Sequence, residues 1–446
     1  MRWLLLLFIV TCVGSDVTGV EMSLVTGISV KNLWLYLIVF GVLFRLALTG
    51  VDRVFYMSLH VAFVLLIGYA GASWIVAALV VKYPGYHLFA HLVTLKNMLI
   101  DPALLLFAAF YGLRDMGDSR FVLKALILAI GVANFLTNLD TAHIIHLGMK
   151  IGDHGAEEGR VFGAFGHANE TGALLVCTLP AMIAFVYTAR GLQRAMWGFV
   201  TLCSAVVLLM TVSRGAFVAV FVGGIAAMWL CRHYIPLQRF AVGGFIALFL
   251  VVLAVVIAGM VDPSIGGIIT QRLLGTAQTV DAGEMSSGRT AIWAGLLKRM
   301  AQTPSSFLTG FGWDVYSTMP FRYIPHNVYL SLWFELGLTG LLSMLFIQAR
   351  TLLETLRTIA VTEDRAIQTQ LLAFVFGFIM VAVAIFFTNL ITPWPYVWLY
   401  VGVILKMCSL LQTDAERSFT PLRVAEAPRR PAAARPLHGA LPRPVR

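Results

Sequence analysis

Long apolar runs, each closed by a charged residue or a turn former, recur along almost the whole of this 446-residue chain. A helix needs ~20 apolar residues to cross a bilayer. Read this way, the runs fall at about 3–19, 32–50, 56–81, 96–112, 119–138, 169–189, 195–212, 215–231, 240–261, 327–347, 370–388 and 393–411. The composition agrees, with 59% hydrophobic and 12% charged residues, where a soluble domain carries about 25% charged. A water-soluble globule would have to expose the apolar excess, and disorder needs the opposite bias. The expected fold class is an all-α polytopic membrane protein of about 12 transmembrane helices.

The arrangement expected is transmembrane helices 1–9 over 1–261, a large outer loop with short helices over 262–325, helices 10–12 over 326–411, and a disordered basic Pro-rich tail over 412–446. Arg2, the run Trp3–Val10 and then Val13-Gly14-Ser15 resemble a signal peptide. A retained first span fits the topology better, because an even number of spans returns both termini to one side. Lys and Arg concentrate in the loops on the side of the N-terminus and in the basic tail, which makes that side cytoplasmic. The net charge of +10 is thus a matter of membrane topology, and no nucleic-acid partner is expected. The five cysteines (Cys12, Cys177, Cys203, Cys231 and Cys408) lie in or beside apolar runs without paired spacing and read as small hydrophobes. Trp394 and Tyr396 read as an interfacial aromatic belt.

No phosphate-loop, nucleophile-elbow or zinc-protease motif is present. An enzyme working outside the cytoplasmic membrane has no ATP there and needs a substrate that arrives activated. The outer segments hold Arg160, His167, Arg214, Arg289, Arg322 and His326 in polar or aromatic surroundings. Arg160 and His167 belong to a glycine-rich stretch entering a span, where backbone can approach a ligand closely. Ser213-Arg214-Gly215 joins two apolar runs with no room for a loop, so Arg214 sits at the bilayer rim, where an anion offsets its cost. Ser287–Ala301 reads as a helix of a small outer cap, with Ile292, Leu296 and Leu297 on one stripe and Arg289 at its start, where free N–H groups favour an anion. In Pro325-His326-Asn327-x9-Gly337-x-x-Gly340, a continuous helix would put Gly337 about 20° and Gly340 about 40° from His326, on one face. Glu335 would lie opposite. The glycines would then let a neighbouring helix pack closely beneath the histidine. Asp140, His143, His146 and His154 lack a spacing that fixes a fourth ligand, so no metal site is expected.

Together these elements resemble the O-antigen ligase family of bacterial membrane enzymes. Its H-[NSQ]-x9-G-x-x-G pattern is met by His326, Asn327, Gly337 and Gly340, its S-R-G by Ser213-Arg214-Gly215, and its G-R by Gly288-Arg289. The tail is not part of the pattern. The resemblance implies a glycosyltransferase-C-like fold in the bacterial inner membrane and transfer of a polysaccharide from undecaprenyl pyrophosphate to a sugar hydroxyl of lipid A–core on the periplasmic face. It implies no cofactor or metal. The partners implied are the lipid-linked glycan donor, the lipid A–core acceptor and membrane lipids. His326, Arg289 and Arg214 are the expected catalytic residues. Arg160, Asn327, Arg322 and His167 are the expected substrate contacts, and Gly337 and Gly340 are structural. An O-antigen polymerase or a protein O-oligosaccharyltransferase would use the same donor class. A transporter or flippase is a more distant alternative, against which stands the absence of paired broken helices.

Overall fold

A computed structural model describes residues 1–20, 23–50, 56–147, 160–235, 289–319 and 325–419. The expected span at 240–261, the outer segment up to Gly288, His154, Arg322 and the tail from 420 onward lie outside them. The described chain is almost entirely helical: α1 (Arg2–Thr18), α2 (Val30–Thr49), α3 (Met57–Val81), α4 (Leu88–Gly112), α5 (Met116–Thr141), α6 (Ala168–Thr188), α7 (Gly191–Met210), α8 (Arg214–Leu230), α9 (Arg289–Gln302), α10 (Ser306–Thr309), α11 (Val328–Val361), α12 (Arg365–Ala384) and α13 (Trp394–Phe419). A short antiparallel hairpin, Ser23–Val25 with Ile28–Ser29, precedes α2. Among the described residues nine helices, α2–α7 and α11–α13, are long and apolar enough to cross a membrane. Helices α1 and α8 are shorter, at 17 residues each. This is a polytopic membrane protein.

Its helices differ in what they face. Only 17% of the most apolar window of α2 and of α3 is buried, against 78% in α13. Phe40, Leu48, Val64 and Val80 point outward, as lipid-facing side chains do on a helix that is apolar all round. Helix α13 is therefore central. Trp394 and Tyr396 at its start are buried rather than interfacial: Trp394 donates to the Met98 carbonyl at 2.9 Å, and the Tyr396 hydroxyl bonds Asp16. Lipid gives no hydrophobic drive for one helix to seek another, so close backbone approach supplies the packing. A Cβ on Gly377 of α12 would stand 1.9 Å from the Cys177 carbonyl oxygen of α6, and one on Gly402 of α13 would stand 2.6 Å from that of Leu106 on α4.

Two helices run beyond their apolar cores. Helix α11 continues to Val361 because Arg350 and Arg357 both pair with Glu354, at 2.5 and 3.0 Å, which carries a polar helix past the apolar stretch. Helix α4 begins at Leu88 rather than at Lys96, because Lys96 is held by Asp101 at 2.6 Å within a π-turn. Side chains cap the chain reversals: Asp115 caps α5, Ser213 α8, Asn327 α11 and Asp364 α12. Helices alternate in direction, so residues 82–87, 160–167, 211–213, 289–319 and 385–393 gather at one end of the bundle, the cap end. Residues 113–115, 189–190 and 362–364 lie at the other.

Gly377→Ala should force α6 and α12 apart and cost about 1–3 kcal/mol, read as a lower Tm of the solubilised protein. Gly198→Ala, with nothing within 4 Å of the added Cβ, should change stability by no more than about 0.5 kcal/mol.

Candidate functional site

The cap is built on a small apolar cluster of its own. Leu296 and Met300 of α9 pack with Val315, Met319, Leu330 and Phe334, flanked by Ile292, Trp293 and Phe307. The buried stripe of α9 is thus Leu296 and Met300, while Leu297 is largely exposed. From α10 the chain lies across a break in α11. Gly337 adopts φ 60°, ψ −159°, a conformation outside the helix that favours glycine. The carbonyls of Phe334 and Glu335, freed by the break, accept from Phe311 N and Gly312 N at 2.9 Å each. A Cβ on Gly337 would stand 2.2 Å from the Leu308 carbonyl oxygen, and one on Gly310 would stand 2.1 Å from that of Glu335.

This differs from the expected role of the glycines. Helix α11 starts after His326, with Asn327 as its cap, so His326 is not on the helical face that a continuous wheel assigns. Gly337 does meet a neighbouring helix, but it is the short cap helix α10, at Leu308, and the chain that leaves it, at Gly310. Gly340 sits where the bent helix folds onto its own Leu336, 2.4 Å from where a Cβ would stand.

Phenols and a histidine clamp the cap to the bundle. Tyr69, Tyr83 and Tyr86 donate to the carbonyls of Thr309, Phe311 and Trp313 at 2.7–2.8 Å. His91 stacks on Tyr86 and contacts the Asp314 carboxylate at 2.8 Å. Burial, with Asp314 and Glu335 near, pushes the Tyr86 and Tyr316 phenols well above their ordinary range, which keeps them neutral donors. Glu335 is buried here and accepts a backbone hydrogen bond from Asp314.

The remaining candidates sit on a second frame. Arg160 is buried; its Nε donates to the Thr211 carbonyl at 2.9 Å and its terminal nitrogen to Asn169 Oδ1 at 2.8 Å. Ser213 Oγ donates to the same Asn169 oxygen at 3.0 Å. The turn so held includes Val212 at φ 44°, a strained setting for a β-branched residue. It presents Arg214, half-buried, as the first residue of α8. His167 is exposed at the start of α6, where its carbonyl accepts from Glu170 N and Thr171 N. Asn327 is buried, with its side-chain oxygen accepting from Leu330 N at 3.0 Å. His326 is half-buried at φ 49°, outside the helix.

The turn after α12 joins the frames. Ile385 O accepts from Val328 N at 2.9 Å, two residues after His326. Phe386 packs edge-on against Trp293, one helical turn after Arg289, with ring centroids 5.5 Å apart. Phe387 lies against Gly215, next to Arg214, 2.7 Å from where a Cβ would stand. Trp293 Nε1 also donates to the Pro325 carbonyl at 2.7 Å. Further along, Ile391 N and Thr392 N donate to Glu170. Close chain neighbours of Arg214, Arg289 and His326 thus meet on three successive residues, Ile385–Phe387. That turn, and Asn169, carry no sequence signal of their own. Asn169 is a polar residue at a helix start, and the turn is a short apolar stretch.

Asn169→Ala should remove one acceptor of the buried Arg160 guanidinium, and the acceptor of Ser213 Oγ with it, and cost about 1.5–3 kcal/mol. Asn169→Asp, which keeps the accepting oxygen, should retain near wild-type stability. Equal thermal unfolding of the alanine variant and wild type would mean that this network does not hold the turn.

Residues 199–345 match the O-antigen ligase family. The match runs from α7 into α11, about a third of the chain, and includes Arg214, Arg289, His326, Asn327, Gly337 and Gly340. Arg160 and His167 precede it. No curated protein matches the chain.

Proposed function

We propose that the protein is an O-antigen ligase of the bacterial inner membrane, with a glycosyltransferase-C-type fold, both termini cytoplasmic and the cap end in the periplasm. It transfers a glycan from undecaprenyl pyrophosphate to a sugar hydroxyl of lipid A–core. The observation that carries this reading is the turn Ile385–Phe387, on which the neighbours of two arginines and a histidine meet at one end of a membrane bundle. The partial family match lies over those same three residues, Arg214, Arg289 and His326.

The chemistry follows from the bond broken. Cleaving the bond between the anomeric carbon and the diphosphate oxygen leaves a lipid diphosphate carrying extra negative charge. Arg214 and Arg289 hold that charge with planar, forked donors, which suit phosphate better than a point cation does. Arg289 is also the first described residue of α9, and the positive end of a helix favours an anion. The acceptor hydroxyl gives its proton to the His326 imidazole as its oxygen attacks the anomeric carbon from the side opposite the leaving group, which inverts that centre. Histidine suits the role because its ordinary pKa lies near neutrality. Arg160 braces the turn that presents Arg214, Asn327 fixes the start of α11 beside His326, and His167 and Arg322 contact the glycan. No metal or nucleotide takes part.

With purified protein, lipid-linked donor and lipid A–core, His326→Ala should lose ~10²–10⁴-fold in transfer rate while keeping the wild-type Tm. Undiminished turnover would remove His326 from the mechanism. Arg289→Lys should lose ~10-fold or more despite its retained charge, and equal rates for Lys and Arg would refute the forked-donor role.

A further inference from the structure

At the end of the bundle opposite the cap lies a cavity of about 60 Å³ between α5, α6, α7 and α12. One water needs ~10–15 Å³ in this measure, so the space admits a tetrahedral oxyanion. Its wall includes Arg120 and Lys124 of α5, Thr188, Gln193, Trp197 and Gln370 of α12, and no carboxylate among the described residues. Gln370 is 2% exposed, yet neither Nε2 nor Oε1 of its amide has a hydrogen-bond partner among the described residues. Arg120 Nε likewise has none. A buried amide without partners costs free energy at both its atoms, so the position asks for something that both accepts and donates.

We propose that this cavity binds a phosphate group that also carries a hydroxyl. Arg120 and Lys124 supply the charge. The Gln370 amide N–H donates to a phosphate oxygen, and its carbonyl accepts from the hydroxyl. The α5, α7 and α12 N-termini all lie at this end, and their dipoles add to the positive potential. The chemistry is shared by two sources: a phosphoglycerol lipid headgroup in the leaflet at that end, and free hydrogen phosphate. Neither donor nor acceptor of the transfer reaction is involved, because the site lies a bundle length from Arg214, Arg289 and His326.

The test uses full-length protein, delipidated in detergent, and the variants Arg120→Gln and Gln370→Leu. Thermal unfolding is followed against inorganic phosphate, and lipid retention by native mass spectrometry is followed for phosphatidylglycerol against phosphatidylcholine. Gln370→Leu removes two unpartnered atoms at little change in volume, so without ligand it should unfold at or above the wild-type temperature. It should then gain nothing from ligand. Arg120→Gln should bind ~10-fold more weakly. A rise in Tm with phosphate identifies the soluble anion, and selective retention of phosphatidylglycerol identifies the headgroup; either supports the site. Equal responses of wild type and both variants, no response to either probe, or phosphatidylcholine retained as readily as phosphatidylglycerol would overturn it.

Discussion

Backbone groups released by a broken helix have no water to turn to at membrane depth, so protein must satisfy them. In this chain the break at Gly337 is answered by the cap, whose Phe311 and Gly312 amides take up the freed carbonyls of Phe334 and Glu335. That exchange fixes where the cap lies. It seats α9, and with it Arg289, over the first turns of α11, and Trp293 reaches back to the Pro325 carbonyl beside His326. The other elements of the site are arranged about this joint.

A second set of polar contacts serves Arg214. A turn between two apolar helices cannot leave its amides and hydroxyl unpaired, and here Asn169 serves both Arg160 and Ser213 while Arg160 holds the Thr211 carbonyl. The same residues that make the turn possible therefore set where Arg214 starts α8. Phosphate recognition at a membrane rim needs a cation that is held rather than floating, because a disordered side chain must be ordered at binding. In the proposed reaction the buried frame would remove part of that cost before the diphosphate arrives.

The sequence shows the membrane bundle plainly because a spanning helix must be apolar over its full length. Of the twelve expected segments, eleven coincide with described helices, and the one at 240–261 lies outside the described residues. Helix ends are less legible where charges pair within the helix, as at Lys96–Asp101 and Arg350–Glu354–Arg357. Periodicity fails at His326 and Gly337 for a definite reason: a wheel assumes one unbroken helix, and Asn327 caps while Gly337 breaks it. The Ile385–Phe387 turn is invisible in sequence, because its importance lies in what packs on it. Arg160 reads as a ligand contact in sequence; that its guanidinium also holds the backbone of a neighbouring turn is seen only in its bond to the Thr211 carbonyl.

The most direct measurement of the central claim is the lipopolysaccharide profile of a strain lacking this protein. The account predicts core without long glycan, with that glycan accumulating on the polyprenyl carrier and full restoration by the wild-type gene. An unchanged ladder would contradict it, as would core bearing a single repeat unit, which marks a lost polymerase, or a defect confined to glycosylated proteins.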